Sequence, residues 1–181
     1  MIKRFVHIAT LLWAASGLAS AATTFAFNPS STFVPYGQSF SVDIFVTGAV
    51  DLYAWQLDVF FTPPGIVNAT SVTEGPFLGA GTVFGSGTID NASGSITNIF
   101  NTLTGLSGVS GDGVLAHLSF TANSLGIAVF HYANVIALDS NLDNISDFAV
   151  VDGTVDVTPE PATFGLLGLS LAAGVFFRLR K

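Results

Sequence analysis

Cysteine is absent from this 181-residue chain, and lysine and arginine occur only at its two ends. The lack of cysteine excludes disulfides, a thiol nucleophile and thiolate-ligated zinc. The five basic side chains are Lys3, Arg4, Arg178, Arg180 and Lys181, and the stretch from Ala22 to Phe177 holds all twelve acids. That stretch carries twelve formal negative charges and no Lys or Arg, so it has no ordinary salt bridge. Nucleic acid is excluded as a partner, because neutralising phosphates requires Lys or Arg. Nucleotide phosphates are disfavoured for the same reason, and divalent cations are the natural counter-ions of such a surface. Glutamate is scarce as well: Glu74 and Glu160 are the only two. Paired-carboxylate hydrolysis needs two acids held across a bound sugar, and the aspartates here fall mostly in turns or on strand surfaces. A Ser-His-Asp mechanism lacks a nucleophile-elbow pattern. The chain therefore reads as non-catalytic.

Apolar residues make up 50% of the chain, with 19 glycines and 17 phenylalanines against 9% charged residues. Aromatic and β-branched residues interrupted by glycine mark short strands joined by tight turns. Phe40, Val42, Ile44 and Val46 alternate with polar neighbours, as do Val114, Ala116, Leu118, Phe120 and Ala122. Ala149, Val151, Val155 and Val157 read as one further face. Such period-two patterning places one face of a strand in a core and the other in water. Leu52–Phe61 is apolar on both faces apart from Gln56 and Asp58, which predicts a central strand. Residues 75–94 read as turns and a short hairpin. No helical periodicity of useful length appears between the ends, and no internal repeat. The prediction is an all-β antiparallel sandwich of eight or nine strands spanning residues 22–157.

The two ends carry targeting signals. Lys3 and Arg4 precede an apolar run from Phe5 to Leu18, and Ala19-Ser20-Ala21 places small residues at the key positions of a cleavage site. Residues 1–21 are expected to be a signal peptide cut after Ala21, the alternative being a retained anchor. At the other end, Pro159-Glu160-Pro161 precedes the uncharged stretch Ala162–Phe177, and Arg178-Leu179-Arg180-Lys181 closes the chain. As a helix that stretch would be ~24 Å long at ~1.5 Å per residue, short for a ~30 Å hydrocarbon core unless flanking residues snorkel. The terminal cations should remain cytoplasmic, leaving the domain facing outward.

The tail, residues 158–181, resembles the PEP-CTERM sorting signal of Gram-negative bacteria. The matching residues are Pro159, Glu160 and Pro161, the segment Phe164-Gly165-Leu166-Leu167-Gly168-Leu169, and the basic terminus. The resemblance implies processing by an exosortase, a membrane-embedded cysteine transpeptidase, with Glu160 serving recognition. It implies an exported chain, anchored transiently in the inner membrane through a short apolar helix, then placed at the cell surface or in the extracellular matrix. The alternative is a permanent single-span anchor. Residues from about Ala26 to Val157 resemble a cohesin, the jelly-roll sandwich that receives dockerin modules. The resemblance is carried by Val34-Pro35-Tyr36-Gly37-Gln38-Ser39-Phe40-Ser41-Val42-Asp43, by Leu52–Pro63 and by Gly111–Phe120. It implies docking on a flat sheet face, to which the outward positions Ala54, Gln56 and Asp58 contribute. Ala54, and Thr62-Pro63 in place of Asp-Pro, depart from the family pattern, so the partner's identity does not carry over.

Three further features of the body bear on function. Asp139, Asn141, Asp143 and Asp147 place oxygen side chains at alternate positions, as a Ca²⁺ loop would. Asn144 and Val150 stand where such a loop has glycine and glutamate, and a polar turn accounts for the same residues. No other cofactor is expected. His117 and His131 read as ordinary strand histidines rather than metal ligands. Tyr53 and Trp55 share a face with Leu57, Val59 and Phe61, which favours the core over a sugar platform. The sequence thus points to an extracytoplasmic protein-interaction module with an unknown protein partner. Exopolysaccharide binding is the alternative, and polysaccharide hydrolysis a remote one.

Overall fold

The computed structural model describes residues 22–105 and 107–160. The signal segment, with Ala19 and Ala21, and the tail from Pro161 onward lie outside them. Among the described residues there are eleven strands and no helix long and apolar enough to cross a membrane. The strands are β1 (Thr23–Asn28), β2 (Ser31–Pro35), β3 (Ser39–Leu52), β4 (Ala54–Thr62), β5 (Val67–Glu74), β6 (Thr82–Asp90), β7 (Ser95–Leu103), β8 (Val109–Ala122), β9 (Gly126–Leu138), β10 (Phe148–Val151) and β11 (Gly153–Thr158).

They form two sheets packed face to face. One has the order β10-β1-β3-β8-β5 and the other β2-β11-β9-β4-β7-β6. The all-β sandwich is as expected, with β4 central between β9 and β7. Three expectations need correction. There are eleven strands rather than eight or nine, and residues 82–90 form a full edge strand, longer than the short hairpin expected within residues 75–94. The sandwich is not wholly antiparallel: β1 runs parallel to β10, and β2 parallel to β11. Ala149 and Val151 do not share a face with Val155 and Val157. The chain changes sheets at Asp152-Gly153, leaving Val151 exposed and Val155 and Val157 buried. Gly153 is packed against the Phe27 ring, where a β-carbon would come within 2.8 Å of side-chain carbon.

The core follows from the alternation. Val42, Ile44 and Val46 of β3 face Ala116, Leu118 and Phe120 of β8 across the same sheet, all fully or almost fully buried. From the other sheet come Trp55, Leu57, Val59 and Phe61 of β4 and Phe130 of β9. Phe120 joins the layers, meeting Phe61 edge-on at 5.6 Å and Phe130 edge-on at 5.0 Å between ring centroids. Each fully buried phenylalanine contributes about 1.5–3 kcal/mol of burial, plus about 0.5–1.5 kcal/mol per well-oriented aromatic pair.

Strand direction gives the sandwich two ends. At one, Thr158 closes β11, the Tyr36 amide donates to its carbonyl at 2.9 Å, and the β8–β9 turn at Asn123–Leu125 lies alongside. At the other lie the β3–β4 corner, the β7–β8 loop and the β9–β10 loop.

Candidate docking face

The outer face of the six-stranded sheet carries a grid of eight positions, two on each of four adjacent strands. One row across the sheet is Val83, Thr102, Ala54 and Leu138; the next is Gly85, Phe100, Gln56 and Ile136. Residues i and i+2 of a strand point to one face, and directly opposed residues on neighbouring strands stand side by side. The eight positions therefore make one continuous surface. Val83, Phe100 and Ile136 are exposed, by 51%, 37% and 44%. Ala54, Gln56, Phe100, Thr102, Ile136 and Leu138 line a shallow groove of about 290 Å³. None of the eight is charged, and Gln56 carries the one carboxamide. Gly85 determines how the Phe100 ring lies, since a β-carbon on it would meet the ring at 2.1 Å. The ring therefore rests over Gly85 of β6.

Of the three expected docking residues, Ala54 and Gln56 belong to this grid and Asp58 does not. Asp58 is only 7% exposed, which corrects its placement as an outward contact residue. Its Oδ1 accepts the backbone amide of Asn98 at 2.7 Å, and its Oδ2 accepts the side-chain amide of Asn134 at 2.6 Å. Asn98 and Asn134 occupy bulges in β7 and β9 on either side, with φ of 58° and 49°. Asparagine tolerates this left-handed backbone better than most residues. The bulges bring the flanking strands to the carboxylate, and the three residues form a polar border to the grid. Sequence reasoning missed Val83, Phe100, Thr102, Ile136 and Leu138. Their signal is a second apolar alternation on the face away from the core, broken in β7 and β9 by the bulged asparagines.

The other candidates resolve into structural roles. Trp55 is 2% exposed and inside, so it offers no sugar platform, and the half-buried Tyr53 donates its hydroxyl to the Gly105 carbonyl at 3.0 Å. In the loop 139–147, Asp139 Oδ1 accepts the amides of Asn141 and Asp143 at 2.8 and 2.9 Å. That carboxylate caps its own loop. Among the described residues, no three His, Asp or Glu side chains converge as a metal site. His117 pairs with Asp43 on β3 and His131 with Asp152, each at 2.7 Å, so the two histidines stand apart on separate sheets.

At the grid end, Asp51 ties three segments together. Its Oδ2 accepts the Ser140 hydroxyl at 2.6 Å, and its Oδ1 accepts the Gly108 amide at 3.0 Å. The Ser140 hydroxyl and then the Ser140 amide, with help from the Gly108 amide, hold this carboxyl below its usual value of 3.8 against partial desolvation. Gly108 has no room for a side chain, as a β-carbon would lie 2.4 Å from the Asp51 carbonyl oxygen. At the opposite end Pro159 and Glu160 are exposed, directly after the last paired residue.

Comparison with known proteins agrees with this geometry. The cohesin domain family matches residues 25–157, and the PEP-CTERM protein-sorting motif matches residues 157–181. No curated protein sequence matches the chain. The fold is similar to a non-cellulosomal cohesin from the hyperthermophilic archaeon Archaeoglobus fulgidus, with 18% identity and a TM-score of 0.65 over 80% of this chain and 97% of that one. It is similar to the second type II cohesin module of the adaptor ScaA scaffoldin of Acetivibrio cellulolyticus, with 12% identity and a TM-score of 0.64 over 79% and 100% of the two chains. A chain of the type I cohesin–dockerin complex Coh-OlpA-Doc918 from Clostridium thermocellum matches at 11% identity and a TM-score of 0.64, over 76% and 100%. The sandwich and its C-terminal motif together make this chain a member of the cohesin family that carries a PEP-CTERM sorting signal.

Proposed function

We propose that this protein is a non-catalytic docking module, exported and held at the cell envelope, whose partner is another protein seated on the Val83–Ile136 grid. The observation that carries this reading is the uncharged two-by-four surface itself, shallow, with five apolar residues of eight, and bordered by the Asp58 clasp. A flat apolar centre with few polar groups suits a protein partner. The solved neighbours include a cohesin–dockerin complex, which supports a dockerin-like partner here. The body around the grid has acids and no Lys or Arg, so the complementary partner has an apolar centre and a basic rim. Electrostatic steering of that kind makes association faster at low salt.

The tail supports sorting by an exosortase, with Pro159-Glu160-Pro161 as the recognised element and the domain released or re-anchored outside. Strand geometry supports removal of the signal peptide. Thr24 pairs with Thr47, eight residues along β3 from Ser39, so β1 starts about 26 Å from the tail end at ~3.3 Å per residue. An uncleaved leader and an inserted tail would pull one folded domain toward the bilayer from both ends.

The test is capture by the mature chain of secreted and envelope proteins from the native host, in parallel with a Phe100→Asp, Ile136→Asp variant and a glycan array. A protein held by the parent and lost from the variant supports docking. Binding to polysaccharide alone, insensitive to the variant, would replace this reading with the carbohydrate one.

A further inference from the structure

We infer that the tail end of the sandwich lies against the lipid headgroups while the tail is inserted, with Tyr36 and Leu125 seated in the interface. The inference rests on the anchoring reading above. Thr158 is still paired with Pro35 in the sheet, and the uncharged run begins at Ala162. The four steps between them reach at most about 14 Å, at ~3.3–3.6 Å per residue. The headgroup layer accounts for roughly 5–8 Å of that on each side of the core. The folded end therefore stays within about 6–9 Å of the lipid surface even with the connecting residues fully extended.

That end presents exposed apolar side chains among polar ones. Tyr36 is 50% and Leu125 52% exposed, and they line a groove of about 550 Å³ with Asn123, Ser124, Pro159 and Glu160. Phe33, the most exposed large hydrophobic residue described, and Ile127 stand on the flank, one on each side of Asp156 in register across β2, β11 and β9. Tyrosine suits the membrane–water boundary because its ring is apolar and its hydroxyl is wet. Asp156 and Glu160 limit the depth, so the contact is shallow. With no Lys or Arg in the body, anionic lipid does not attract it, and the contact is hydrophobic. Ile136 lies nine positions beyond Ile127 on β9, about 30 Å along the strand. This orientation points the docking grid away from the membrane.

The absence of cysteine makes the test direct. Single cysteines at Leu125 and at Val83 each carry a fluorophore, on the mature chain with its tail, reconstituted in phosphatidylcholine vesicles and recovered by flotation. The expected result is several-fold stronger quenching at Leu125 than at Val83 by headgroup-level spin-labelled lipid, and several-fold weaker quenching by aqueous iodide. Ser124→Cys reports the same surface should Leu125→Cys fold poorly. Floating protein whose two labels are equally open to iodide would overturn the inference and leave anchoring intact. A Leu125 label shielded from iodide yet silent to spin-labelled lipid would also overturn it, assigning the cover to a second copy or to the tail. Protein that does not float would remove the anchoring reading, and this inference with it.

Discussion

The Asp58 carboxylate receives the Asn98 backbone amide at 2.7 Å, so a buried acid in the central strand fixes the bulge of the strand beside it. Asn134 completes the clasp from the other flank. Replacing Asp58 with alanine removes the acceptor from two part-buried hydrogen bonds made by the exposed residues Asn98 and Asn134. The expected loss is about 1.5 kcal/mol, the lower end of the range for hydrogen bonds to a charged group because water reaches both donors, read from urea unfolding. A midpoint equal to the parent's would show that the bulges hold themselves. The left-handed backbone gives a companion result: Asn98→Gly should be nearly neutral, and Asn98→Val should cost at least ~1 kcal/mol.

Gly85 and Phe100 separate docking from stability. Gly85→Ala should push the Phe100 ring off β6 and change the groove, while stability stays within about 1 kcal/mol of the parent. Once a partner is in hand, its affinity should fall roughly tenfold with either Gly85→Ala or Phe100→Ser, as expected for a central aromatic contact. Unchanged affinity in calorimetric titration of both variants would place the partner elsewhere on the molecule.

Asp51 predicts an acid limb. Its carboxyl titrates below the ordinary 3.8 in the folded state. Its contribution to stability is therefore complete above pH 3.8, the unfolded value, and is lost as pH falls through the lower folded value. Asp51→Asn should flatten the stability curve from about pH 4 downward relative to the parent, with little change in slope at neutral pH. Parallel acid limbs for the two proteins would show that the Ser140 and Gly108 contacts do not persist in solution.

Processing is read from mass. Protein recovered outside a native host should have an intact mass that starts at Ala22 and stops near Pro161, with or without an added group. Retention of Ala162–Lys181 would make the tail a permanent anchor and move the search for partners to the outer side of the inner membrane.

Much of this architecture is legible in the sequence because strand alternation is a local property. Val42, Ile44 and Val46 declare their inward face without reference to any other strand, and so do Ala116, Leu118 and Phe120. The tripartite tail and the confinement of Lys and Arg to the ends are likewise properties of the linear chain. What only the tertiary structure decided is register. Whether Gln56 stands beside Phe100 and Ile136 depends on how far strands remote in sequence slide before they pair. That offset is set by single extra residues at Asn98 and Asn134. Each bulge breaks the period-two pattern, turns an apparently outward Asp58 into a buried clasp, and aligns Val83, Phe100 and Ile136 into one surface. The same holds at Asp152-Gly153, where an apolar run that reads as one strand crosses between sheets because Gly153 fits beneath Phe27. Alternation specifies which side of a strand is buried, and long-range pairing energies specify which strands meet and at what height.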